Sequence, residues 1–205
     1  MRHKDKNSRS ASKLIRLWGR HAVEAALLNP DRVIRRVWAT RDAMATLDLP
    51  SSLPVTPSGP QDLANMVPQG APHQGMVIEA DPLPDRYLDE FRDPATEDRR
   101  AILVLDQVTD PQNVGAILRS AAAFDAVAIV TQDRHSPPES GVIARAASGA
   151  LESVPWVRVV NLSRALDELA HPRVAAGGLE VGFDEGARRR LEAHAHGVEA
   201  EKHFG

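Results

Sequence analysis

Between Ile102 and Ala170 the chain alternates short apolar runs with stretches of helical periodicity, and few folds accommodate that order. Ile102-Leu103-Val104-Leu105 is a continuous apolar run of the kind buried on both faces of a parallel sheet. Asp110-Pro111 then signals a helix start, and Val114, Ile117, Leu118 and Ala121 recur at helical spacing as its buried stripe. A second strand over Val127 to Val130 leads through a polar loop at Pro137-Pro138 to a helix near Val142 to Ala147. A third strand, Trp156 to Val160, precedes a helix over Leu162 to Ala170. Strands that alternate with helices predict an α/β fold with right-handed crossovers and an open parallel sheet, which binds ligands at the carboxyl ends of its strands. Three strands leave such a sheet with an exposed edge.

The first half is organised differently. His21 to Leu28 reads as a short helix closed by Asn29-Pro30, Val33 to Trp38 as a strand, and Met76-Val77-Ile78 as another. Pro50, Pro54, Pro57, Pro60 and Pro68 lie between them, so elements there must be short. This half predicts a small α/β domain starting near Leu14. With 42% hydrophobic and 26% charged residues in 205, wholesale disorder is excluded. No apolar run approaches the roughly 18 residues of a membrane-spanning helix, and the basic start lacks a signal-peptide core, so the expected compartment is the cytoplasm. A cysteine count of 0 excludes disulfides, thiolate nucleophiles and Cys-ligated zinc. No metal site is expected. Aromatics at 4% argue against base-stacking platforms.

The net charge of −3 conceals an asymmetry. Arg2, Lys4, Lys6, Arg9, Lys13, Arg16, Arg20, Arg32, Arg35, Arg36 and Arg41 face only Asp5, Glu24 and Asp31 in the opening segment, a balance suited to gripping phosphate. Asp81, Asp85, Asp89, Glu90, Asp93, Glu97 and Asp98 then reverse the sign in a Pro-interrupted stretch that reads as a linker.

The densest chemical information is the run Leu105 to Ala121, at a strand-to-helix turn. Gly115 and Ala116 permit close backbone approach. Arg119 lies five positions past Val114, about 140° round the helix, and so points away from the buried stripe. Its guanidinium fork matches phosphate, while Asn113 offers a donor and an acceptor. On residue types alone a second reading stays open, with Asn113 a simple cap and Arg119 a solvated charge.

The block Asp110-Pro111-Gln112-Asn113-Val114-Gly115-Ala116-Ile117-Leu118-Arg119-Ser120-Ala121-Ala122-Ala123-Phe124 resembles the first motif of the SpoU/TrmH class of S-adenosylmethionine-dependent RNA ribose methyltransferases. Ala146 to Pro155 and Val160-Asn161-Leu162 resemble the family's intervening segment. Trp18-Gly19-Arg20-His21-Ala22-Val23-Glu24-Ala25-Ala26-Leu27 and His73-Gln74-Gly75-Met76 resemble the ends of the small substrate-binding domain in the subgroup acting on 23S ribosomal RNA. Asp125 stands where the family usually has Gly. The resemblance covers roughly residues 14 to 170. It implies a trefoil-knot methyltransferase domain, S-adenosylmethionine as cofactor, and ribosomal RNA as partner. It further implies Arg119 as the catalytic arginine, with Asn113 ordering the site beside it. Arg16, Arg20 and His21 become candidates for RNA contact, against the plainer reading of a solvated helix face.

The expected organisation is then a basic disordered arm over 1–13, an RNA substrate-binding domain over 14–80 and an acidic linker over 81–100. The start of the methyltransferase domain over 101–170 and an atypical tail over 171–205 complete it. Gly182 to Arg189 is a faint echo of the family's second motif, and no run in the tail resembles the third, which carries its dimer-forming helix. This reads as a fold incomplete at its C-terminus by truncation or frameshift, and leaves a catalytically inactive RNA-binding relative as the alternative. A nucleotide-binding enzyme is disfavoured, since no Gly-x-Gly-x-x-Gly run follows a strand.

Overall fold

The computed structural model describes residues 13–50, 53–91 and 100–170. Residues 1–12 of the expected arm and the whole of the expected tail, where the departure from the family pattern and the lack of a dimer-forming helix were read, lie outside the described residues. The chain divides into two units. One holds the residues up to Pro84 with Pro111–Arg119 and Pro138–Ser153, and the other holds Asp85–Asp110, Ser120–Pro137 and the residues from Val154 onward.

The first unit opens with β1 (Ile15–Trp18), α1 (Arg20–Leu28), β2 (Ile34–Ala39), α2 (Arg41–Thr46), β3 (Val55–Pro57), α3 (Pro60–Ala64) and β4 (Met76–Ala80). The strands form one sheet in the order β1-β4-β2-β3, antiparallel except for the parallel β2–β3 pair. β4 is flanked on both edges, and Met76, Val77 and Ile78 are accordingly fully buried. The Pro-rich segment yields a three-residue strand and a five-residue helix, with Pro60 at a first-turn position where its missing N–H costs nothing. The first part of α4 (Pro111–Ala123), α5 (Gly141–Ala147) and a 3-10 turn at Ala150–Glu152 complete this unit. α5 packs on β1 and α1.

The second unit is a parallel sheet of β5 (Ile102–Leu105), β6 (Ala128–Gln132) and β7 (Trp156–Val159), in that order, followed by α6 (Leu162–Ala170). The expected α/β alternation is present with boundaries within a residue or two. The expectation that the Ile102 run is buried on both faces needs correction: all four β5 residues are only half-buried. Among the described residues β5 has one strand neighbour, so it is the central β6, from Ala128 to Thr131, that is sequestered. Asn161 caps α6 through its side-chain oxygen, which accepts from Arg164 N at 3.0 Å. The stretch read as an acidic linker carries order in its described part. Arg86 bridges to Val157, and Leu88, in a 3-10 turn, enters the core with Ala128, Val130, Val157, Leu162 and Ala165.

The departure at Asp125 has a structural counterpart. Asp125 sits at φ 53°, in the left-handed region, where it closes α4 with a Schellman pattern: Asp125 N donates to Ala122 O and Ala126 N to Ala121 O. Glycine pays no Cβ penalty there, whereas Asp tolerates the conformation at some cost. Asp125→Gly is therefore expected to raise stability by about 0.5–1 kcal/mol in urea unfolding. An unchanged midpoint would contradict this account of the helix end.

No helix among the described residues is long and apolar enough to cross a membrane, and no group of His, Asp or Glu among them could hold a metal ion.

Candidate functional site

Helix α4 presents two kinds of surface. Val114, Leu118 and Ala121 are fully buried, and Gly115 is buried against α5. A Cβ added at Gly115 would lie 2.5 Å from Ala146 Cβ and 2.7 Å from the Ile143 carbonyl oxygen, so only glycine allows the two helices this close. α5 ends at Ser148 (φ 50°) and Gly149 (φ 96°), a left-handed pair that turns the chain at the Ala-Ser-Gly-Ala step.

Asn113 and Arg119 are both exposed. Six residues apart on one helix, they are separated by about 9 Å along the axis and about 120° around it, so they do not share a face. They bracket Ala116, which is three residues from each, and its methyl leaves low ground between an amide and a guanidinium. Arg119 makes no ion pair with another described residue.

The candidates in the first half meet their own partners. Arg16 donates from Nη1 to Met66 O at 3.3 Å and stands 3.7 Å from Glu79 Oε1. Arg20 donates from Nε to Glu24 Oε1 at 2.8 Å. His21 is exposed on the first turn of α1. Two motifs far apart in sequence are joined here: Arg20 N donates to Gln74 Oε1 at 2.8 Å, and Gly75 N donates to His73 Nδ1 at 3.1 Å. In that bond the His73 Nδ1 is the acceptor. The two motifs border an open cleft of about 940 Å³ lined by Arg20, Thr40, Arg41, Ser58, His73 and Gln74, among others. Arg41 is exposed and without an ion partner among the described residues. It went unselected in the sequence because it belongs to none of the motifs; its only signal was membership of the basic run.

Two members of that basic run are engaged by carboxylates, one on the surface and one in the interior, contrary to the reading that counts them together. Arg35 forms a fork onto Asp81, with Nη2–Oδ2 at 2.6 Å and Nε–Oδ1 at 3.1 Å. The Arg32 side chain is 0% exposed. It donates to Glu152 at 2.6 and 3.1 Å, to Glu139 at 2.7 Å and to Asp81 O at 2.9 Å. Burial by itself would lower the Arg32 pKa, but hydrogen bonding to Glu152 and the charges of Glu139 and Glu152 outweigh it and hold the group above its ordinary value.

The SpoU rRNA Methylase family model matches residues 100–192, taking in α4, α5 and the three parallel strands. The chain belongs to the SpoU family. The match runs past residue 170, where the motif-by-motif resemblance ends, and takes in the segment with the echo of the second motif. An uncharacterised tRNA/rRNA methyltransferase of Synechocystis is 33% identical over 75% of this chain and 42% of its own length. The 23S rRNA (guanosine-2'-O-)-methyltransferase RlmB of Pseudomonas putida is 33% identical over 77% of this chain and 66% of its own length. The SpoU chain thus spans about two fifths to two thirds of these relatives. Among solved structures, the SpoU methyltransferase AviRb from Streptomyces viridochromogenes in complex with AdoMet superposes with a TM-score of 0.57 at 22% identity, covering 80% of this chain and 61% of that one. That likeness establishes the shared fold.

Proposed function

We propose that this SpoU-family protein transfers the methyl group of S-adenosylmethionine to a ribose 2′-hydroxyl of ribosomal RNA, a guanosine of 23S rRNA as in its RlmB relatives, and does so in the cytoplasm. The observation that carries the reading is Arg119, an exposed guanidinium with no ion partner among the described residues, at its place in the family's first motif. Residues 14–80 serve as the RNA-docking domain, with Arg16, Arg20 and His21 as contacts and Arg41 beside them on the cleft. Residues 101–170 belong to the methyltransferase domain.

The second unit has groups that suit the cofactor. Asp106 and Asp133 follow β5 and β6 at their carboxyl ends and could offer carboxylates to the sulfonium and ammonium charges, Asp133 while also standing 3.7 Å from Arg158 Nη1. The Ser136 hydroxyl is buried with no partner among the described residues. These residues would hold S-adenosylmethionine, which when bound supplies an electrophilic methyl group.

The rest is positioning and electrostatics. A ribose hydroxyl is poorly acidic, so it must pass its proton to solvent water as its oxygen attacks the methyl group. The Arg119 guanidinium acts here as a hydrogen-bond donor and not as a base. Its fork clamps an RNA phosphate and stabilises the negative charge developing on the 2′-oxygen. Asn113 orders the substrate across Ala116. Phosphate contacts on the docking domain supply affinity and register, with little sequence information.

Incubation of the full chain with methyl-labelled cofactor and a 23S rRNA transcript is expected to place label in an alkali-stable dinucleotide, the mark of a 2′-O-methyl group. Label on a base, or no transfer at all, would overturn the reading.

A further inference from the structure

Arg32 occupies the turn between α1 and β2 and grips the α5 segment at both ends. Glu139 stands two residues before the first residue of α5, and Glu152 lies in the 3-10 turn after it. The same carboxylates reach further: Glu139 accepts from Leu83 N at 2.9 Å, and Glu152 accepts from Asn29 Nδ2 at 2.9 Å. One guanidinium thus ties the exit of α1, the segment after β4 and both ends of α5, across 107 and 120 residues of sequence.

The surrounding contacts leave no slack. Gly141, Gly149 and Gly19 each lie where α5 or its flanking turn meets β1 or α1. An added Cβ at Gly141 would overlap the Trp18 ring and the Arg16 carbonyl oxygen, one at Gly149 would stand 3.1 Å from Ala25 Cβ, and one at Gly19 would stand 3.0 Å from Arg145 Cδ. On its other side α5 bears on α4 through Gly115, one helical turn before Arg119. Desolvation offsets much of the Coulombic gain of a buried ion group, so its main contribution is a defined geometry.

We propose that Arg32 is a positioning residue: by stapling both ends of α5 to the docking sheet, it holds RNA seated on that sheet at a set distance from Arg119 on α4. This rests on the reading of Arg119 and of the docking sheet given above. A flexible tether would instead leave the substrate to find Arg119 by diffusion, forfeiting much of the rate advantage of a fixed orientation.

The test uses the full chain. Because it contains no cysteine, nitroxide labels at Arg36→Cys and Ser153→Cys report a single distance between the sheet and the end of the α5 segment. Arg32→Met is combined with Glu139→Gln and Glu152→Gln, so that no uncompensated charge stays buried, and Arg32→Lys is the conservative partner. In the triple variant the distance distribution is expected to broaden at least about twofold, RNA Kd to stay within about threefold, and methyl-transfer kcat to fall about tenfold or more. Arg32→Lys is expected to recover part of both losses, as a point charge satisfies one carboxylate better than two. An unchanged distribution would overturn the staple, and a broadened distribution with unchanged kcat would overturn its role in positioning. A parent chain that transfers no methyl overturns the functional reading, while the distance still decides the staple.

Discussion

Arg119→Ala is expected to lower the proposed methyl transfer to 23S rRNA by about 10²–10³-fold, the range seen when one donor to a developing oxyanion is removed. The side chain is exposed on α4, with no ion partner among the described residues, so its loss leaves no buried group unsatisfied. Stability should therefore change by no more than about 0.5 kcal/mol. This separates a chemical role from a structural one: rate falls while the unfolding midpoint stays. Arg119→Lys keeps the charge but loses the planar fork, and is expected to recover only part of the rate. Equal rates for the parent and Arg119→Ala in single-turnover assays would remove the guanidinium from the reaction.

The largest effect on stability is expected at Gly141. Its Cα faces the Trp18 ring and the Arg16 carbonyl oxygen, and an added methyl would overlap both. A flexible side chain could swing aside, but here one obstacle is backbone and the other a ring that is 6% exposed and packed with Leu63 and Val77. Gly141→Ala is expected to cost about 3 kcal/mol, the upper end of overpacking effects, and to lower the apparent Tm by about 10 °C. Gly70→Ala is the control, since a Cβ there meets nothing within 4 Å; its φ of 75° adds only local strain. Equal melting of Gly141→Ala and the parent would mean that α5 does not seat against β1 as described.

How much of this was legible in the chain depended on what kind of signal each feature leaves. β5, α4, α5 and α6 announce themselves, because a strand or helix buries a periodic set of neighbours and that period is written locally. β1 left no such mark: it has four residues, with exposed Arg16 breaking its apolar run, and becomes a strand because β4 pairs with it. The Ile102 run was legible as a strand, but not its half-burial beside a single neighbour among the described residues, since composition does not say how many neighbours a strand will have. Asn113 and Arg119 were singled out through their motif, as the proposed site residues. Their separation across Ala116 follows from helix geometry, and their exposure from α4 burying Val114 and Leu118 instead.

Charge was where sequence and structure parted. Arg32, Arg35 and Arg41 are alike on paper, three arginines in one basic run, and the sequence by itself determined only that this half of the molecule carries excess positive charge. It also determined the α/β alternation and the SpoU motif, both of which are properties of short contiguous segments. Tertiary structure alone decided that Arg32 is sealed against Glu139 and Glu152, that Arg35 is paired with Asp81 at the surface, and that Arg41 is left on an open cleft beside Arg20 and His73. The physical reason is that an arginine's role depends on the dielectric and the carboxylates around it. For Arg32 those carboxylates come from residues more than a hundred positions away, brought within hydrogen-bonding distance only by the packing of α5.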